Sequence, residues 1–362
     1  MSHAIQLSVA LGFLLYGIGA IPSLVFSTAI AMFFIAAMAN GRIKSSPLAF
    51  PLVPVCVAVN RRQSVSFWII FALVWRLGRK SPVLALLSLL ALGGWYSFEA
   101  LYARPGMAYL GLPEAVRWED PMTWTRVFRN HGYMVGYSEL RGDPLWAIYA
   151  LSRVPDDAPK LKRPARFNAD WRSLTRIGHD DYDRGGYDRG HLAPNHAISV
   201  LYGREGQLDT FLMTNIVPQK AALNERVWER LEEAELDRLA ARFGKLWVVT
   251  GPIFEGGVER LRSSFRVEVP DACYKIYAAP QPEGGAPKLL AFVVPQTVKG
   301  NEPLDRFLVS VDEVERRTGF DFFPRLDSRL EPAAEGGIDA EFWQVEEWAG
   351  LAGRYTGRKG KP

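Results

Sequence analysis

The sequence predicts an α+β fold with a mixed or antiparallel central sheet and flanking helices, preceded by one or more apolar helices. Short runs rich in Val, Ile, Tyr, Phe and Trp follow one another after residue 130, broken by Gly and Pro. Helical periodicity is confined to two stretches between those runs, near 223–243 and 311–317. Strands in runs with a few segregated helices argue against a doubly wound sheet. The first hundred residues are apolar and hold a single acid, Glu99.

The apolar third comes first in the chain. Residues 4–39 run almost without charge around Pro22, enough for one long or two short spans when a span needs ~20 residues. The run from Val65 to Trp75 is too short to cross alone. Pro82 to Tyr102 is the clearest anchor, apolar until Glu99 and preceded by Arg76, Arg79 and Lys80. The positive-inside rule puts its start in the cytoplasm and all that follows on the periplasmic or extracytoplasmic side. From Val74 on, the pattern also fits a signal anchor, so that earlier residues are open to being an over-extended start. Ala100 and Ala103 make a poor cleavage site, which favours retention. The expected organisation is a membrane region at 1–103 with its span at about 82–102, a linker rich in Pro and Gly at 104–130, a catalytic domain at 131–333 and a tail at 334–362.

Charge follows the same division. Residues 1–100 hold seven bases and one acid, leaving 36 bases and 38 acids of the chain's 43 and 39 for the remainder. The net charge of +4 therefore fits juxtamembrane lysine and arginine better than a phosphate-binding surface. Two cysteines, Cys56 and Cys273, exclude a disulfide framework or thiolate metal cluster, and Cys273 reads as a small core residue.

Strands are expected at Tyr133 to Tyr137, Leu145 to Leu151, Thr210 to Ile216, Leu246 to Thr250, Ser264 to Val269, Cys273 to Ala278 and Leu289 to Val294. Leu223, Val227, Leu231, Ala234 and Leu239 form the apolar stripe of a helix from about Leu223 to Phe243. Val311 to Arg317 reads as a second helix closed by Gly319. No glycine-rich nucleotide loop is present.

The informative segment is YDRGGYDRGHLAPN, Tyr182 to Asn195, in which a pentapeptide nearly repeats and only the second copy ends in histidine. His191, one of five histidines, follows Asp188, Arg189 and Gly190. Glycine permits a tight approach, arginine offers a fork for phosphate oxygens, and imidazole takes a proton near neutral pH. Downstream, FLMTNIVPQKAALNERVWERLEEAE sets Asn215 and Gln219 at the end of an expected strand, then Asn224, Trp228 and Glu232 at the start of the long helix. Strand, turn and helix would bring a proton acceptor, neutral oxygens and a carboxylate together. Asn224 and Glu232 are eight residues apart, a rise of ~12 Å on straight helical geometry, so they cannot share one ion directly.

Here the sequence resembles the DNA/RNA non-specific endonuclease family, whose site is a ββα-metal finger. GYMVGYSELRGDPLWAIYAL, RPARF, WVVTGPIF, VEVPDACYKIYA, LAFVVPQ and VSVDEVERRTGFDFFPRL look like that family's successive blocks, covering roughly residues 130 to 330. The resemblance implies a sugar-nonspecific endonuclease of DNA and RNA, reading the backbone and not base edges. It implies His191 as general base, with a pKa near 6.5 that needs no large tuning. Asn224 would hold Mg²⁺ or Mn²⁺ through its amide oxygen, and Glu232 would anchor metal-bound water. Arg189 would contact phosphate, as would Arg166, for whose place Arg163 competes. Asn215 and Gln219 stand as positioning groups within the catalytic constellation, and Asp188 orients its neighbours. One departure is Leu236, where family members often carry arginine, with Arg238 two further on. His179 and His196 read as surface or hydrogen-bonding residues. A nuclease fold that binds without cutting, a phosphodiesterase of smaller substrates, and a direct metal site from Asp188, His191 and Glu232 stay open as alternatives, as does a homodimer.

Overall fold

The structure, a computed structural model, describes residues 81–281 and 285–353. The expected span or spans within 4–39, the shorter run 65–75 and Cys56 lie outside the described residues. The chain divides into one unit ending at Ser97 and a second beginning at Phe98. Pro82–Phe98 is an α-helix (α1). Leu86–Met107 is long and apolar enough to cross a membrane, by length and composition alone.

The second unit is built on a seven-stranded sheet. In chain order its strands are β1 (Arg126–Arg129), β2 (Tyr133–Ser138) and β3 (Asp143–Ser152), then β6 (Lys245–Ile253), β7 (Ala272–Ala279), β8 (Lys288–Pro295) and β9 (Leu308–Val309). Between them lie β4 (Asp188–His191) and β5 (Ile216–Gln219), which form a separate pair. The large sheet has the order β9-β8-β7-β6-β3-β2-β1, and every neighbouring pair is antiparallel.

The helices are α2 (Asn195–Thr210, kinked at Gly203), α3, α4 (Val311–Thr318), α5 (Glu331–Glu335) and α6 (Val345–Trp348). α3 is a continuous run of α and wider π turns, Leu223–Trp228, Glu229–Ala234, Glu235–Leu239 and Ala240–Phe243, stopped by Gly244 at φ 73°. Ser310 caps α4 by accepting from the Glu313 amide, and Gly319 closes it in the left-handed conformation.

Strand alternation splits the core into two faces. Tyr133, Val135, Tyr149, Val248, Tyr277 and Phe292 face the stripe of α3, where Leu223, Val227 and Leu231 are fully buried. Met134, Ile148, Val249, Ile276 and Val293 face the opposite way, onto Val311 and Val314 of α4 and Phe320, Phe322 and Phe323.

Several sequence expectations change. Thr210 to Ile216 is no strand: α2 ends at Thr210, a 3-10 turn covers Met213–Asn215, and β5 starts at Ile216. Its backbone pairs with a loop instead, the Asn168 amide donating to Phe211 O and the Met213 amide to Asn168 O. Ser264–Glu268 forms a small hairpin with Arg260–Leu261, apart from the main sheet. Residues 104–130 supply β1, and residues 334–362 supply Trp343 and Trp348, both buried in the α3-side core. Linker and tail compositions thus hide an edge strand and a hydrophobic lid.

Candidate active site

β4 pairs with the equally short β5, which sets Asp188 opposite Gln219, Arg189 opposite Pro218, Gly190 opposite Val217 and His191 opposite Ile216. A β-carbon at Gly190 would lie 2.1 Å from Gln219 Oε1, so only glycine lets the Gln219 side chain cross there. Gln219 Nε2 donates to Cys273 Sγ of β7 at 3.3 Å, tying the pair to the large sheet. The turn into α3 is clamped by Gln296, whose Oε1 accepts from the Lys220 amide at 2.8 Å while its Nε2 donates to Pro218 O at 2.8 Å.

α3 then crosses β4 and is held at two points. Asn224 Nδ2 donates to Asp188 Oδ2 at 3.1 Å. One turn later Trp228 Nε1 donates to His191 O at 3.3 Å. Two strands and a helix therefore meet at the DRGH segment, with α2 inserted between the strands in sequence.

The His191 ring lies against Phe167 and Phe211, with centroids 5.3 and 5.2 Å away, and the residue is 8% exposed. Among the described residues, Nε2 has no hydrogen-bond partner. Burial, and then the charge of Arg163, pulls the imidazole down from 6.5 to about 3. The expectation of an untuned histidine is corrected: two phenyl rings replace the water that would solvate an imidazolium.

Glu232 is half-buried, and desolvation of its carboxyl pushes it up to about 8 against the pull of Lys275 and Arg163. Arg163, which lies over the Phe211 ring at 5.3 Å, thus acts on both His191 and Glu232. Beneath Glu232, Lys275 Nζ donates to Glu235 Oε2 at 2.9 Å and to Tyr149 Oη at 3.1 Å, with both charges fully buried. Nothing in the sequence pointed to this pair.

The other expected residues fall in three places. Asn215 is fully buried, its Oδ1 accepting from the Ala193 amide at 2.9 Å and its Nδ2 donating to Ala193 O and Thr210 O at 3.0 and 3.2 Å. Its amide is spent on backbone and holds the segment after His191. Arg189 donates to His179 O at 2.7 Å and pairs with Asp183. Arg166 pairs with Asp180 at 2.7 Å on the exposed side of the same turn. His179 takes the hydrogen-bonding role, its Nδ1 accepting from the Phe167 amide at 3.3 Å, and His196 is exposed. His179, Asp180 and Asp183 bring ligand atoms within 4.8 Å of one another, but both carboxylates are taken by arginines. Among the described residues, Asp188, His191 and Glu232 form no such group. The RPARF segment carried a signal for Arg163 and Phe167; Phe211 carried none.

Residues 121–329 match the family model of the DNA/RNA non-specific endonuclease. Mitochondrial nuclease EXOG of Xenopus laevis is 30% identical over 220 residues, 57% of this chain and 61% of that protein. Mitochondrial endonuclease G of Homo sapiens is 28% identical over 242 residues, 64% of this chain and 74% of that protein. A crystal structure of an EndoG/EndoGI complex aligns with TM-score 0.49 and 25% identity, over 56% of this chain and 88% of that one. The chain spans about three fifths of the length of the EXOG relative. With the family's blocks matched across more than half of its length, the chain belongs to the DNA/RNA non-specific endonuclease family.

Proposed function

We propose that this protein is a metal-dependent endonuclease that hydrolyses phosphodiester bonds of DNA and RNA without reading sequence. The observation that carries this reading is the crossing of α3 over the DRGH strand, where Asn224 bonds Asp188 and Trp228 holds the backbone of His191.

The donor set suits a hard divalent cation. Asp188 takes the N–H side of the Asn224 amide, which leaves Oδ1 as the ligand atom, and Mg²⁺ or Mn²⁺ binds through few protein oxygens and several waters. When bound, such an ion supplies charge neutralisation at the scissile phosphate and the leaving 3′ oxygen. Neutral at pH 7, His191 accepts a proton from the attacking water at its unpartnered Nε2. The arriving phosphate anion favours the imidazolium once formed, against the burial and the Arg163 charge that lower its basicity. Arg163 balances charge between His191 and Glu232, and Arg189 turns to phosphate by exchanging it for the exposed Asp183. Glu232 would anchor a water beside the site.

Plasmid, single-stranded DNA, RNA and a small phosphodiester are incubated with the full chain in Mg²⁺ and in EDTA, with His191→Ala and Asn224→Ala as controls. Cleavage of all three polymers, lost in EDTA and in both variants, is expected. Turnover of the small diester alone would assign a different substrate, and wild-type rates from His191→Ala would overturn the reading.

The same reading includes a tether. α1 and the basic residues Arg76, Arg79 and Lys80 before it would anchor the chain with the nuclease on the extracytoplasmic side. Resistance to carbonate extraction, with digestion of the nuclease by protease added outside intact cells, is expected; release by carbonate would remove the anchor.

A further inference from the structure

On the face of the sheet away from α3, three acids gather. Asp312 and Glu315 stand three residues apart on one side of α4, and Glu335 ends α5. One ligand oxygen from each of these three lies within 4.8 Å of the other two. Glu335 is 2% exposed, and its Oε1 has no hydrogen-bond partner among the described residues. The charged neighbours that act on Glu335 most strongly are Glu315, Glu331, Asp321 and Asp312, all acids. The arginines of α4 are committed elsewhere, Arg316 to Glu313 at 2.7 Å and Arg317 to Glu255 at 2.6 Å. A β-carbon at Gly336 would come 3.3 Å from Asp312 Oδ2 and 2.8 Å from Pro332 O, so the backbone leaving α5 closes on the α4 carboxylate as glycine allows.

A buried carboxylate without a counter-charge is too costly to persist. It takes up either a proton or a cation. We propose that Asp312, Glu315 and Glu335 form a structural divalent-cation site of the calcium class, stapling α4 to α5 and independent of the His191 site. Calcium is bound by carboxylate oxygens at about 2.3–2.6 Å, so two ligands on its shell lie at most roughly 5 Å apart, a limit within which these oxygens fall. The all-carboxylate donor set, without imidazole or thiolate, disfavours zinc and copper.

The test uses the full chain carrying Asn224→Ala, stripped of metal by chelator and titrated with CaCl₂ by calorimetry and thermal melting at neutral pH. Saturable binding of one equivalent with a rise in Tm is expected, and both are lost when Glu335→Gln or Asp312→Asn is added. Asp312 is exposed, so that variant folds as its parent does. In the absence of Ca²⁺, Glu335→Gln melts higher than its parent, and added Ca²⁺ reverses that order. With Asn224 intact, Glu335→Gln keeps wild-type plasmid cleavage. Absence of saturable Ca²⁺ binding, or binding undiminished in Asp312→Asn, would overturn the proposal and leave a shared proton as the charge compensation.

Discussion

His191 occupies a place where charge is expensive, since Phe167 and Phe211 cover its ring and Arg163 repels an added proton. Its pKa is lowered on folding, so between about 3 and 6.5 the unfolded chain binds the extra proton and stability falls as pH drops through that window. Urea unfolding of His191→Ala should therefore lose up to about 1.4 kcal/mol per pH unit of acid sensitivity there; an unchanged slope would mean the ring is solvated. Asp188 makes a different contribution, orienting the Asn224 amide by accepting its N–H. Asp188→Asn should raise the Mg²⁺ needed for half-maximal cleavage by about 10–100-fold while the protein stays folded, as a metal titration of cleavage rates would read.

At the level of elements, the β4–β5 pair depends on a glycine for space. Gly190→Ala drives a methyl into the Gln219 side chain and its bond to Cys273, an overpacking cost of about 1–3 kcal/mol. Adding Gln219→Ala should recover part of that loss in chemical denaturation, which distinguishes crowding from a backbone requirement. α3 is fastened to the sheet by the buried Lys275–Glu235 pair under the Trp228 ring, 4.9 Å from the ammonium. Glu235→Ala leaves Lys275 uncompensated and should cost about 3–5 kcal/mol, whereas Glu235→Leu with Lys275→Met should be near neutral. Equal losses in the two proteins would show that packing and not charge sets the cost. Lys275 also pulls on the Glu232 carboxyl, so the pair links fastening of the helix to the electrostatics of the site.

Across the whole molecule, the antiparallel sheet separates two chemistries, with the DRGH strand and α3 on one face and the acidic cluster of α4 and α5 on the other. The C-terminal residues complete the first face. Trp343 is fully buried against Phe243 and Tyr277, with Nε1 donating to Leu289 O at 3.2 Å. Trp343→Ala should cost about 3–5 kcal/mol, read as a lowered urea midpoint at unchanged slope; a loss under 1 kcal/mol, on the scale of a surface site, would return the segment to the status of a tail.

Much of this was legible along the chain. A periodic stripe located α3, the Gly319 stop after a basic pair marked α4, and runs of Val, Ile, Tyr, Phe and Trp broken by Gly and Pro marked the five strands β2, β3, β6, β7 and β8, because these are local records of burial and turning. The DRGH segment and Asn224 were legible because a site needs unusual residue types at set spacing. Only the tertiary structure decided that Asn215 spends its amide on backbone, that Arg163 reaches both His191 and Glu232, and that the stretch before β5 turns instead of extending. Those outcomes depend on which distant group arrives to satisfy a donor, cover a ring or oppose a charge, and burial and partnership of that kind are properties of three-dimensional neighbours that no single stretch of chain contains.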